Sequence, residues 1–176
     1  MVAINQIISF PQRLFRQNER VVERKATTNR VRPNRSIQSA KIEVAYTNDP
    51  ESVCIVRIDG HLNVHSYENL IEQLVAAHKS GIRNVVVDLS KVQKIELSGQ
   101  FALHYVAALF HGQTLPKPNG MRTLRQLAES NIECGPIEGV KLVTDNEQMT
   151  ASLKKAGLDR VFPLVDNLGT AIQAVQ

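Results

Sequence analysis

The chain reads as an α/β domain, a mixed sheet of four to five strands flanked by helices, and three observations predict this. Val85, Val86 and Val87 form a β-branched apolar run of the kind that lies in a sheet covered on both faces. From Val53 onward, short β-type runs alternate with segments of helical spacing, which is the signature of a parallel layer with crossover helices. Before that alternation, two β-type runs have Asn48-Asp49-Pro50 between them, whose turn chemistry implies an antiparallel pair.

In order along the chain, Ile42, Val44 and Tyr46 alternate as one strand and Val53 to Ile58 supply the next, with Gly60 closing the pair. Ser66 is placed to cap a helix carrying Leu70, Ile71, Leu74 and Val75, and Gly81 is placed to end it in the left-handed conformation. The strand Val85 to Leu89 follows. Asp88 and Ser90 break its pattern, a short second extended piece leads through Ile95, and a helix begins at Ser98 with Phe101, Tyr105, Val106 and Leu109. Residues 112–139 hold Pro116, Pro118, Gly120, Gly135, Pro136 and Gly139 around a short helical stretch at Met121 to Glu129. Val140 to Val143 resumes as a strand. Asp145 and Gln148 are spaced as a capping box for a helix from Asn146 to Ala156, which Gly157 and Leu158 stop. Val161, Phe162, Leu164 and Val165 give the last strand, and Leu168, Ala171, Ile172 and Val175 the last amphipathic helix.

Charge divides the chain in two. The whole carries +4, but Met1 to about Ala40 holds eight basic and two acidic residues, so this tail is +6 and the remainder −2. The tail is expected to be disordered, because Thr27 to Ser39 offers little apolar surface to offset the entropy of ordering. Its first part pairs arginines with Ile4, Ile7, Leu14 and Phe15, as membrane-surface segments do, so residues 1–40 read either as a solvated extension or as a contact for an anionic membrane, an acidic partner or nucleic acid. The folded part is not basic enough to be read as a nucleic-acid surface. No run approaches the roughly 18 apolar residues of a bilayer span, and Pro11 and Arg13 cut short the only apolar segment near the start. The two cysteines make no disulfide framework, and a reduced, cytoplasmic location is the expectation.

No catalytic set is visible: there is no phosphate loop, nucleophile elbow or zinc-protease motif. Asp59 and Asp88 end strands, where aspartate is favoured locally. His61 and His65, four apart, and His104 and His111, seven apart, lack further ligands at metal-binding spacing. The chain is therefore read as non-enzymatic, with no metal and no cofactor. The candidate site is the entry to the second long helix. Ser98 there reads either as a helix cap or as a phosphate acceptor stabilised by the helix N-terminus. Glu96 keeps a carboxylate beside it, and Leu97 reads as a core residue or, if exposed, an apolar docking spot.

VVVDLS, Val85 to Ser90, and IELSGQ, Ile95 to Gln100, resemble the central motif of the STAS domain, the sulfate-transporter and anti-sigma-factor-antagonist family, which typically reads VVLDLS-V-FIDSSGL. AGLDRVFPLVDNLGTAIQAV, Ala156 to Val175, is similar to the family's closing segment, and CIVRIDGHLNVHSYENLIEQL, Cys54 to Leu74, to its first strand, glycine turn and helix. The resemblance implies a STAS-type domain over residues 41–176, with an insertion at about 112–139. It places the family's aspartate on Glu96, its phosphorylated serine on Leu97, and its second serine and glycine on Ser98 and Gly99. It further implies a protein-interaction module for signal transduction and transcription regulation, resembling anti-sigma-factor antagonists. Such a module binds a kinase-type anti-sigma factor, a kinase-like ATPase, through Glu96, Leu97, Ser98 and Gly99, with Ser98 as the remaining hydroxyl for phosphorylation. The alternative that the family suggests is a cytoplasmic accessory subunit of a membrane transport system.

Overall fold

The computed structural model describes residues 39–47, 52–115 and 135–176. The tail, the turn at 48–50 and the short helix expected at 121–129 lie outside the described residues. Five strands form one sheet in the order β1 (Lys41–Tyr46), β2 (Val53–Leu62), β3 (Asn84–Ile95), β4 (Val140–Val143) and β5 (Leu164–Val165). β1 runs antiparallel to β2, as the turn residues between them implied, and every other neighbouring pair is parallel. Helices α1 (Tyr67–Lys79), α2 (Leu97–Phe110), α3 (Glu147–Lys155) and α4 (Leu168–Gln173) connect or follow the strands. This is the mixed sheet with flanking helices that the residue pattern predicted.

The period-two alternation of the strands sorts the core into two layers. Cys54, Val56 and Ile58 of β2, Val85, Val87 and Leu89 of β3 and Leu142 of β4 face α1, α2 and α3 and make the larger cluster with Leu70, Leu74, Leu103 and Leu153. Val53, Ile55, Val86 and Val143 point the other way and are covered by Ala171 and Val175, in and just beyond α4. A helix of six residues cannot cover the whole of that second face, and its upper part is instead charged.

Several local expectations are corrected. β2 does not end at Gly60: the strand passes through it, at φ +104°, and continues to Leu62. β3 is one strand of twelve residues rather than two pieces, because the break sensed at Asp88 and Ser90 is absorbed as a register shift, with Arg57 opposite Asp88 but Asp59 opposite Lys91. Ser66 stands at the N-cap of α1 without making a side-chain cap bond. α2 begins at Leu97 with Glu96 as its N-cap, so Ser98 lies inside the first turn. α3 is capped by Asn146, whose side chain accepts from the Gln148 and Met149 amides, and Asp145 lies one residue too early to serve. Only Leu164 and Val165 join the last ladder, while Val161 and Phe162 are buried around the short turn before them. The glycine stops hold. Gly81 at φ +91° takes both bonds of a Schellman motif, its own N–H to the His78 carbonyl and that of Ile82 to Ala77. Gly157 is left-handed at φ +72°.

Candidate functional site at the start of α2

The site is assembled where parallel strands β2 and β3 end, the place at which open α/β sheets present their loops. Ile95 closes β3 opposite Leu62, the last residue of β2. The Glu96 amide then donates to the Leu62 carbonyl at 2.9 Å, which ties the helix entry to the end of the neighbouring strand. Glu96 is extended at φ −85°, ψ 173°, and its own carbonyl accepts the first helical bond from Gln100 at 3.0 Å. Its carboxylate makes no cap bond. It lies 3.4 Å from Lys94 Nζ, an exposed pair that holds little energy in water.

Leu97, Ser98 and Gly99 occupy the first turn of α2 and differ sharply in exposure. Leu97 is half-buried, its inner part packed against the main core. Ser98 retains only 8% of its surface. Gly99 is buried and turned toward the sheet: a Cβ there would stand 2.7 Å from Leu62 Cγ and 2.8 Å from the Leu62 carbonyl oxygen. Glycine at this position thus lets α2 approach β2 closely. Of the four residues expected to contact a partner, Glu96 and Leu97 form the accessible part, Ser98 its rim, and Gly99 lies beneath.

The loop between β2 and α1 stands beside this entry, and residue-level reasoning had not included it. The Asn63 carbonyl accepts from the Ser66 and Tyr67 amides at 3.1 and 3.0 Å, and Asn63 Oδ1 accepts from the His65 amide at 2.9 Å. The Ser66 hydroxyl accepts from the Asn63 amide at 3.1 Å and donates to the His61 carbonyl at 3.2 Å, which is why it is not available to cap α1. The loop is closed by these hydrogen bonds, and Val64 at its tip is 53% exposed, one of two large apolar residues so exposed among the described residues. The signal for it was present as Asn63 and Ser66 three residues apart, an Asx-type turn pattern.

The histidines do other work. His61 Nε2 pairs with Gln93 Oε1 at 3.0 Å, and His111 Nε2 with the Gly135 carbonyl at 2.8 Å. His104, on α2, contacts the Ala156 carbonyl at 3.2 Å at the end of α3, and burial pushes its imidazole down to about 4. Burial also pushes the Cys54 thiol up to about 11, so it remains a protonated core residue at neutral pH. Among the described residues, no group of three or more His, Cys, Asp or Glu could hold a metal ion, and no helix is long and apolar enough to cross a membrane.

Comparison with known proteins places this architecture. Residues 45–111 match the STAS domain, bearing out the resemblance read from Cys54 to Leu74 and from Val85 to Gln100. No curated protein matches the chain. Among solved structures, the NMR structure of TM1081, a Thermotoga maritima protein, aligns with a TM-score of 0.53 at 14% identity, covering 85% of this chain and 98% of that one. An anti-sigma factor antagonist from Mycobacterium paratuberculosis gives a TM-score of 0.49 at 21% identity, covering 78% and 98%. SpoIIAA of Bacillus in its unphosphorylated form gives 0.44 at 16%, covering 76% and 97%. Likeness at these identities is a likeness of fold.

Proposed function

We propose that this chain is a non-enzymatic docking module that binds a kinase-type anti-sigma factor through the start of α2, and that it does so without a phosphoserine switch. The observation that carries the reading is Leu97. It stands at the first helical position, partly buried, and the motif resemblance aligns it with the family's phosphorylated serine. A leucine there accepts no phosphate and offers an apolar contact beside the Glu96 carboxylate. The neighbouring hydroxyl of Ser98 is a poor substitute, since it is nearly buried within the first helical turn and phosphoryl transfer is sensitive to ångström-scale misplacement. The match of residues 45–111 to the STAS domain supports the scaffold on which this reading stands.

The test is to present the full chain to a kinase-type anti-sigma factor with ATP, measuring binding by calorimetry and phosphate by mass spectrometry. The wild type is expected to bind and stay bound without acquiring phosphate. Leu97→Asp, which places a charge in the slot, is expected to weaken binding at least tenfold, a loss of about 1.4 kcal/mol. Phosphate appearing on Ser98 with release of the partner would overturn the switchless reading and assign the switch to Ser98. Undiminished binding by Leu97→Asp would remove this surface from the interface.

A further inference from the structure

The upper part of the sheet face that α4 leaves uncovered carries six charged side chains on three adjacent strands. Lys41 and Glu43 of β1, Arg57 and Asp59 of β2, and Asp88 and Lys91 of β3 line one shallow cleft of about 330 Å³. The strand register arranges them in two rows. Lys41 is opposite Asp59 and Asp59 opposite Lys91, while Glu43 is opposite Arg57 and Arg57 opposite Asp88. Reading across the strands, one row is positive, negative, positive and the other negative, positive, negative. Lys41 pairs with Glu43 along β1, and Arg57 Nε lies 3.9 Å from Asp88 Oδ2 across β2 and β3. The grid therefore alternates in both directions and is neutral as a whole. Lys91 reaches it only because of the bulge in β3, which turns residues 88 and 91, rather than 88 and 90, to the same face.

A neutral alternating grid does not attract a uniformly acidic or basic surface. Its complement is a copy of itself with the two rows exchanged. A two-fold axis lying in the plane of the contact, crossing the strands between the rows, makes that exchange and leaves each column in place. Lys41 then faces Glu43 of the second copy, Asp59 faces Arg57, Lys91 faces Asp88, and each contact occurs twice. The other in-plane two-fold, parallel to the strands, sets Lys41 over Lys91 and Asp59 over Asp59, like on like. The charges thus select one orientation as well as favouring contact. In that orientation the two α4 helices, each packed against β3, β4 and β5 on the Val86 side of the Arg57–Asp88 row, lie on opposite sides of the two-fold axis and do not meet each other. We propose that this sheet face is a self-complementary electrostatic interface through which two copies of the chain associate reversibly, face to face.

The experiment is sedimentation equilibrium of the full chain with charge-swapped variants. The wild type is expected to show a monomer–dimer equilibrium at about 50 mM salt whose dissociation constant rises roughly tenfold or more at about 500 mM, since exposed charges are screened. Arg57→Glu faces Asp59 of its second copy, and Asp59→Arg faces Arg57, so each variant alone is expected to be monomeric. Mixed in equal amounts, they place glutamate opposite arginine and are expected to restore the dimer, an outcome that a simple folding defect cannot produce. Circular dichroism verifies each fold, and Lys41→Glu with Glu43→Lys on β1 gives a second, independent swap pair. A wild type that stays monomeric at about 100 µM in low salt overturns the proposal. So does an Arg57→Glu variant that dimerises as well as the wild type, or a mixture that remains monomeric.

Discussion

Replacing Gly99 by alanine tests how the helix entry is built. In a helix interior this exchange ordinarily stabilises by about 0.5–1 kcal/mol, because alanine loses less conformational freedom on folding. Here the sign is expected to reverse. The added methyl would sit 2.7 Å from Leu62 Cγ, 2.8 Å from the Leu62 carbonyl oxygen and 3.0 Å from Ile95 Cγ2. One of these is a backbone atom that also accepts the Glu96 amide at 2.9 Å, so relief by rotating a side chain alone is not available. The first turn of α2 must instead lift away from the end of β2. Overpacking of this kind costs about 1–3 kcal/mol, so the net effect is a loss on the order of 1–2 kcal/mol. Urea unfolding followed by far-ultraviolet circular dichroism measures it directly. Gly169→Ala is the control, a helical glycine in α4 whose would-be methyl has no neighbour nearer than Asn167 Oδ1 at 3.6 Å, and it is expected to gain a few tenths of a kcal/mol or more. If Gly99→Ala were as stable as the wild type, the close approach of α2 to β2 would not be as described. The docking surface proposed at the start of α2 would lose the support of that approach.

Two further expectations concern stability. His104 titrates near 6.5 when unfolded but is pushed down to about 4 by burial in the fold, so the folded state disfavours its proton. Its contribution is complete above pH 6.5 and is lost as pH falls from there toward 4, by at most roughly 3 kcal/mol and less where solvent reaches the ring. Urea midpoints at pH 7 and pH 4.5 should show this loss in the wild type and a smaller one in His104→Gln, and an imidazole resonance titrating near its ordinary value would contradict it. At the start of α3, Asn146→Ala removes the acceptor of the Gln148 amide at 2.9 Å and of the Met149 amide at 3.3 Å and should cost about 1 kcal/mol in thermal unfolding. Asp145→Ala should cost much less, and equal losses would point back to the capping box expected at Asp145.

Much of this architecture was legible in the residues because it depends on short-range physics. Apolar runs of β-branched residues at 53–58 and 85–89 had to find a sheet interior, and Gly81 and Gly157 had to end helices where only a left-handed residue fits. The Asn-Asp-Pro punctuation set the antiparallel start. The motif at 95–100 identified the helix entry as the place to look. What stayed out of reach were the features set by how one segment lies on another. Serine's general preference for caps pointed to Ser98 and Ser66. The bond between the Glu96 amide and Leu62 starts α2 earlier, and the loop closure at Asn63 draws the Ser66 hydroxyl away.

The order of strands and helices, the hydrophobic faces and the glycine stops follow from local preference and periodicity, which act over a few residues and are written in their order along the chain. The burial of Gly99, the partial burial of Leu97 and the alternating grid on the sheet face that α4 leaves uncovered follow from register. The slip between β2 and β3 that sets Lys91 beside Asp88 arises between strands about thirty residues apart, and no pattern within either strand encodes it.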